Sequence, residues 1–206
     1  LLAVDATSGA GQIPLDISKV DLYFFSPQKV FASEGGFYIA IMSPKAISRA
    51  KRLYDRDTYR PEVMSWKNAI DNSLKGQTYN TPAVSTIFFL NEQIKTMNSL
   101  GEKKVVEMAK AKAEMIYKWA KEKEYLSCYI KEEEFRSIAV ATINLDDKYN
   151  AIDLANSLRS QGVVYDIDAY RKLGLNQFRI SLFHNISIED LEKLTLIISD
   201  AVERGN

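Results

Sequence analysis

A loop between two short apolar runs constrains the fold of this chain of 206 residues more than any other stretch. The first run, residues 20–25, reads VDLYFF, and the second, residues 37–42, reads FYIAIM. Two such runs around a loop rich in Ser, Pro and Gly predict buried strands of an α/β sheet. Because open α/β folds bind their ligands at strand ends, the loop is a candidate binding segment.

The loop carries one lysine, Lys29, directly after Gln28. Loop lysines are mostly solvated, and the pattern alone leaves that ordinary role open. The alternative is an amine that condenses with a carbonyl cofactor. An apolar run at the start of the chain favours this alternative, because it ends in Asp5. An acidic side chain at the end of a buried strand needs a partner, and the protonated ring nitrogen of pyridoxal phosphate would be one.

Three segments of the chain together resemble one enzyme family. They read DATSGAGQIPLDISKVDLYFFSPQKVFASEGG from Asp5, NSLKGQTYNTPAVST from Asn72, and YRKLGLNQFRISLF from Tyr170. In sequence and order they resemble the actinobacterial phosphoserine aminotransferases, a branch of the class V aminotransferases among the fold-type I pyridoxal phosphate enzymes. The resemblance covers nearly the whole chain. It implies an α/β fold, namely the C-terminal part of a pyridoxal-phosphate-dependent transferase.

The resemblance also implies roles for individual residues around the cofactor, pyridoxal 5'-phosphate. Lys29 would hold the cofactor covalently and move protons as general base and acid. Asp5 would pair with the ring nitrogen, and Gln28 would bind the cofactor phosphate. Asn80 and Thr81 would reach the cofactor phosphate of the neighbouring subunit, so that the active unit would be a homodimer.

The segment around Thr81 also has a purely structural interpretation. Thr81 followed by Pro82 predicts the N-cap and first residue of a helix that reaches about residue 99. A helix N-terminus with hydroxyl and amide side chains is equally suited to bind a phosphate. The spacing alone leaves both interpretations open.

Cationic residues near the end of the chain are candidates for substrate binding. Arg179 lies in an alternating, strand-like segment. It is either an arginine on the exposed face of a sheet or a residue whose guanidinium binds a carboxylate through two hydrogen bonds. The resemblance implies that Arg179 binds the substrate α-carboxylate. It makes Arg171 and Lys172 candidates for the substrate phosphate, although other branches of the family place a His-Arg pair there. The lone His184 fits a structural or surface role.

The reaction implied by the resemblance is reversible amino transfer between O-phospho-L-serine and 2-oxoglutarate, which gives 3-phosphohydroxypyruvate and glutamate in serine biosynthesis. Another class V aminotransferase, acting on serine or alanine with glyoxylate, would share Lys29 and Asp5. A different class of function is a catalytically silent fragment or a dimerisation module. The resembling enzymes carry an N-terminal half ahead of this point, so we expect these residues alone to bind cofactor weakly or not at all.

Composition bounds the possible partners. The chain has 27 Lys and Arg against 27 Asp and Glu, so no net basic charge favours nucleic acid or an anionic membrane. The single cysteine, Cys128, cannot form an internal disulfide, and one histidine makes a structural zinc site improbable. We find neither an apolar run that would span a bilayer nor a secretory signal, and therefore expect a cytoplasmic enzyme.

Periodicity and capping signals predict two domains. Residues 1–100 would complete the large mixed-sheet cofactor domain, with a helix after the Ser43-Pro44 pair. Residues 101–206 would form a linking helix and a small α+β domain with a mainly antiparallel sheet. The elements predicted there are helices at 102–123, 150–161 and 187–203, and strands at 127–130, 137–145 and 177–183. The first helix would bury one apolar stripe that includes Val105, Ala109 and Ile116, and Asn150 and Ser187 would cap the other two helices.

Overall fold

The computed structural model describes residues 1–56, 59–170 and 173–204. The chain divides into two compact units, residues 1–99 and residues 100–206, called here the N-terminal and the C-terminal unit. Its strands and helices are, in order, β1 (Ala3–Asp5), β2 (Leu22–Phe25), β3 (Ile39–Met42), α1 (Pro44–Tyr54), α2 (Trp66–Ser73), α3 (Val84–Leu100), α4 (Glu102–Glu122), β4 (Leu126–Cys128), β5 (Val140–Leu145), α5 (Ala151–Ser160), β6 (Gln177–Ser181) and α6 (Ile188–Arg204).

The N-terminal unit contains a mixed sheet in the order β1-β2-β3. Strand β1 runs parallel to β2, and β3 runs antiparallel to β2. The strands are less buried than the apolar runs predicted: in β2 only Phe25 is buried, and Ile41 in β3 is 51% exposed. The central strand β2 has a neighbour on each side, so a free edge does not explain its exposure. The apolar cluster described at this sheet is small and is formed around Ala6, Ala10 and Phe25.

Local capping decides where two helices of the N-terminal unit begin. The predicted start of α1 is confirmed, because the Ser43 hydroxyl accepts a 3.1 Å hydrogen bond from the Ala46 amide. The predicted start of the third helix at Thr81-Pro82 is wrong. Its first backbone bond joins the Ile87 amide to the Ala83 carbonyl at 3.1 Å, and α3 begins at Val84. The preceding segment is held in a turn, since the Thr78 hydroxyl donates to the Asn80 carbonyl at 2.6 Å.

The C-terminal unit contains an antiparallel sheet, as predicted, and its strand order is β4-β5-β6. Side chains from this sheet and from α4, α5 and α6 form one apolar core. The predicted caps are confirmed as well. The Asn150 side chain accepts from the Ile152 amide at 2.9 Å, and the Ser187 hydroxyl accepts from the Asp190 amide at 3.0 Å. Gly162, with φ of 71°, follows the end of α5 in the left-handed conformation that favours glycine.

The buried face of α4 includes a lysine that the apolar periodicity did not predict. Val105, Ala109 and Ile116 are fully buried, as the pattern indicated, and Lys112 on the same face is only 2% exposed. Its Nζ donates to the Phe183 carbonyl at 2.6 Å, and burial lowers the pKa of Lys112. His184, the next residue after Phe183, is also buried, which agrees with a structural role.

The described residues, 1–56, 59–170 and 173–204, contain neither a helix suited to cross a membrane nor a cluster of metal-binding side chains. No helix in these ranges has the length and apolar character that crossing a membrane requires. Within the same ranges, no group of three or more His, Cys, Asp and Glu side chains could hold a metal ion. Cys128 is a free, half-buried thiol.

Candidate active site

The segments that carry Asp5 and Lys29 follow two neighbouring parallel strands. Asp5 is the last residue of β1 and pairs with Phe24 in β2, while the Ala6 amide donates to the Phe24 carbonyl at 2.8 Å. Lys29 lies in the turn that follows β2. Because the carboxyl ends of adjacent parallel strands meet at one edge of a sheet, the structure brings the two segments to the same edge.

A neighbouring threonine fixes the carboxylate of Asp5. Its Oδ1 accepts from the Thr7 amide at 3.0 Å and from the Thr7 hydroxyl at 2.6 Å. These hydrogen bonds, led by that of the hydroxyl, lower the pKa of Asp5 and favour its charged form. Asp5 is an exposed residue, and the described residues form no hydrogen bond to its Oδ2. Sequence analysis missed Thr7, although an Asp-x-Thr segment is a known signal for such a local turn.

Replacing Thr7 with valine is expected to raise the pKa of Asp5 toward its ordinary value, because the variant loses the hydroxyl donor. In the folded parent the pKa of Asp5 is lowered. The charged Asp5 carboxylate therefore contributes fully to the free energy of unfolding above its ordinary pKa, and this contribution disappears as pH falls through the folded pKa. In Thr7→Val the Asp5 carboxylate would be protonated at a higher pH, so its contribution to the free energy of unfolding would be lost at a higher pH than in the parent. Carbon-13 NMR titration of the Asp5 carboxyl measures the change.

Serine provides the matched control at this position. Thr7→Ser keeps both the hydroxyl and the amide donor, and the pKa of Asp5 should stay close to that of the parent. An unchanged Asp5 pKa in Thr7→Val would contradict the assigned role of the hydroxyl.

Lys29 lies in a tight turn whose backbone is fixed. Its carbonyl accepts from the Ala32 amide at 2.9 Å, and the Ser33 amide donates to the Pro27 carbonyl at 3.2 Å. Ala32 has φ of 46°, a left-handed conformation that is uncommon for a residue with a side chain. Strain of this kind accumulates at functional sites. Lys29 is half-buried, and among the described residues its amine forms no ion pair.

Hydrogen bonds attach the loop after Lys29 to the first turn of α3 in the same unit. The Ser33 hydroxyl donates to the Thr86 carbonyl at 2.8 Å, and the buried Thr86 hydroxyl donates to the Gly35 carbonyl at 3.4 Å. Asn80 and Thr81 stand just ahead of α3 in an exposed segment. No described side-chain hydrogen bond joins either of them to Asp5 or Lys29, and their role toward a second copy of the chain stays a prediction.

The predicted carboxylate ligand, Arg179, belongs to the C-terminal unit. It lies in β6 opposite Thr142 of β5 and is half-buried. Its neighbours Phe178 and Ile180 are 0% and 2% exposed, so side-chain alternation directs Arg179 to the opposite face of the strand. Arg171 and Lys172, the candidates for the substrate phosphate, lie outside the described residues. Substrate binding by these cations stays a prediction.

Comparison with known proteins identifies the family. The family model described as aminotransferase class-V matches residues 1–194. The chain is 46% identical to a phosphoserine aminotransferase of Corynebacterium glutamicum over 206 residues, which are 100% of this chain and 54% of that protein. Its fold is similar to the crystal structure of a phosphoserine aminotransferase from Cytophaga hutchinsonii, with a TM-score of 0.84, 22% identity, and coverage of 97% of this chain and 55% of that one.

A structure of different specificity has a comparable fold. The alanine–glyoxylate aminotransferase of a Nostoc species matches with a TM-score of 0.79 and 18% identity, over 98% of this chain and 54% of that one. The fold predicted from the resemblance is confirmed, and the fold alone does not separate the two specificities. The chain spans about half the length of the curated relatives it matches. The family match and the 46% identity show that the chain belongs to the class-V aminotransferase family.

Proposed function

We propose that these residues form part of a pyridoxal-phosphate-dependent enzyme that transfers an amino group reversibly between O-phospho-L-serine and 2-oxoglutarate. The observation that carries the proposal is the arrangement of Asp5 and Lys29 at the carboxyl ends of adjacent parallel strands. Phosphoserine as the substrate is supported by the name of the relative from Corynebacterium glutamicum. On this proposal the enzyme yields 3-phosphohydroxypyruvate and glutamate and serves serine biosynthesis in the cytoplasm.

The residues at this strand edge fit pyridoxal 5'-phosphate. The Thr7 hydrogen bonds favour a charged Asp5. Asp5 is an exposed residue, and its Oδ2 would face the ring nitrogen and hold it protonated. Gln28 is exposed directly beside Lys29, and its amide could donate to the cofactor phosphate. When bound, the cofactor supplies an electron sink for negative charge at the substrate α-carbon.

Lys29 would have two tasks on this proposal. It would first hold the cofactor covalently through Nζ. Once the substrate amine has displaced it, the neutral Nζ would take the proton from the substrate α-carbon and later return it as a general acid.

Substrate recognition would rest on cations of the C-terminal unit. Arg179 would bind the α-carboxylate through its planar, two-pronged guanidinium, and Arg171 or Lys172 would bind the substrate phosphate. We further propose a homodimer, in which Asn80 and Thr81 bind the cofactor phosphate of the second copy. Their exposure just ahead of a long helix supports a role in phosphate binding, because a helix N-terminus favours anions.

Substrate preference of the full protein that contains these residues tests the proposal. We expect kcat/KM for O-phosphoserine to exceed that for serine by about 10⁴-fold, since the cations that would bind the phosphate are left without their partner when serine binds. Steady-state assays with each amino donor and 2-oxoglutarate or glyoxylate measure the ratio. A preference for unphosphorylated serine or alanine with glyoxylate would instead support another class V aminotransferase.

A further inference from the structure

We propose that Arg159 and Asp168 form a positioning pair that fixes the backbone of β6 at Arg179 and thereby determines how tightly the substrate carboxylate binds. The inference rests on the proposed function in one respect, namely that Arg179 binds this carboxylate. Neither member of the pair is proposed to touch the substrate. They act through a short segment that lies beside β6.

The pair joins the end of α5 to the segment that precedes β6. Arg159 Nη2 donates to Asp168 Oδ2 in an ion pair, and Arg159 Nη1 donates to Asn156 Oδ1 at 2.9 Å. The two side chains of the pair are 30% and 19% exposed. Because the guanidinium is held at two points and partly shielded from solvent, the pair has a defined orientation and is screened less than a surface pair.

Asp168 and its neighbour Ile167 lie directly against β6. Asp168 forms an isolated antiparallel bridge with Phe178, and the Ile167 carbonyl accepts from the Arg179 amide at 3.0 Å. Ile167 is 5% exposed and belongs to the apolar core. Residues 167–168 therefore form a short strand-like segment that pairs with β6 beside Arg179.

The backbone of Arg179 is thus supported on both sides. On one side it is paired with Thr142 of β5, and on the other its amide is bound by Ile167. The β5 side is part of a regular ladder of backbone pairs. The other side depends on a segment of two residues, which is held by the buried side chain of Ile167 and by the ion pair of Asp168 with Arg159. Loss of the ion pair would leave Ile167 as the remaining anchor of this segment, so that the hydrogen bond of the Arg179 amide would open more easily.

A second side-chain contact, which does not involve Arg159, holds the start of β6 in place. Asn176, just ahead of β6, donates to the Tyr149 carbonyl at 2.9 Å and accepts from the Ala151 amide at 2.8 Å. This anchor does not involve Arg159 or Asp168, so the entry into β6 stays attached when the ion pair is removed. We therefore expect local displacement at Arg179 rather than unfolding of the strand.

Kinetics of the full protein test the functional part of the proposal. Arg159→Ala is expected to raise KM for phosphoserine about tenfold with kcat nearly unchanged, because uniform binding of the carboxylate is weakened. The exchanged double variant, Arg159→Asp with Asp168→Arg, restores an ion pair and should recover most of the parental KM. Arg204→Ala is the matched control, since it removes an exposed pair with Asp200 of 2.6 Å in the same unit and should leave KM unchanged.

Hydrogen exchange of the 206-residue chain provides a measurement that does not depend on activity. In Arg159→Ala the Arg179 amide should exchange about tenfold faster, since its local opening becomes easier. The Leu182 amide donates to the Ala139 carbonyl at 2.9 Å. Its exchange rate should not change, which would show that the sheet remains intact. Arg204→Ala should leave both amides unchanged.

The two experiments separate this proposal from the proposed function. If Arg179→Lys raises KM but Arg159→Ala changes neither KM nor exchange at Arg179, the positioning role is wrong. Faster exchange with an unchanged KM would also overturn it, because the pair would then be merely structural. If Arg179→Lys itself leaves KM unchanged, the proposed carboxylate role of Arg179 is wrong, and the inference that rests on it falls as well.

Discussion

Replacing Lys29 with alanine is expected to reduce transamination by the full protein about 10⁴-fold or more, because the variant loses both the covalent amine and the general base. Lys29 lies in the turn after β2, at the same sheet edge as Asp5, and its amine forms no ion pair with a described residue. Glutamate formation from phosphoserine and 2-oxoglutarate is measured over time. Turnover close to that of the parent would contradict the catalytic assignment.

Two further lysine variants show whether activity requires the primary amine of Lys29 or only a positive charge at this position. Lys29→Arg keeps a positive charge but removes the primary amine, so it should be as inactive as the alanine variant. Lys19→Ala removes a lysine of the same unit whose pair with Asp16, at 3.7 Å, is largely exposed, and activity should remain parental. Loss of activity in Lys19→Ala would show that the N-terminal unit does not tolerate even surface changes, and the Lys29 result would then lose its meaning.

Replacing Phe178 with alanine is expected to lower the free energy of unfolding of the C-terminal unit by about 4 kcal/mol. Phe178 is 0% exposed in β6 and pairs with Ile143 of β5, which is also 0% exposed. Truncation removes apolar contacts on a strand held by its neighbours, so the cavity can collapse only in part. Urea denaturation of the chain, followed by circular dichroism, measures the change.

A second phenylalanine of the same unit is the control for Phe178. Phe135 is 70% exposed in a short 3-10 helical turn, and Phe135→Ala should change the free energy of unfolding by about 0.5 kcal/mol or less. If Phe178→Ala cost as little as Phe135→Ala, Phe178 could not belong to a packed core. The described arrangement of β5 and β6 would then be wrong.

Features of the fold that depend on neighbours in sequence were predictable from the chain. Ser43, Asn150 and Ser187 cap their helices as expected, because a cap needs only a side chain and an amide two or three residues on. Thr81 had the same local signal and failed, since a turn closed by the Thr78 hydroxyl precedes α3. The apolar runs located the strands of the N-terminal unit but overestimated their burial, which depends on what packs against the faces of the sheet.

The candidate site was also predictable only in part, and again the predictable features were those with a local sequence signal. The order of a strand-end aspartate and a strand-end lysine is visible in the sequence, and the parallel pairing of β1 and β2 places both segments at one edge. The Thr7 contact has a local signal that went unused. By contrast, the burial of Lys112 and the pairing of Arg159 with Asp168 arise from packing between separate elements, so no local pattern predicts them.

Covalent trapping of the cofactor shows whether Lys29 is the residue that binds it. The full protein is reduced with borohydride in the presence of pyridoxal 5'-phosphate, digested, and mapped by mass spectrometry. We expect one pyridoxyl adduct, on the peptide that contains Lys29, and its loss in Lys29→Ala. An adduct on a different lysine, or none at all, would contradict the assignment of this strand edge as the cofactor site.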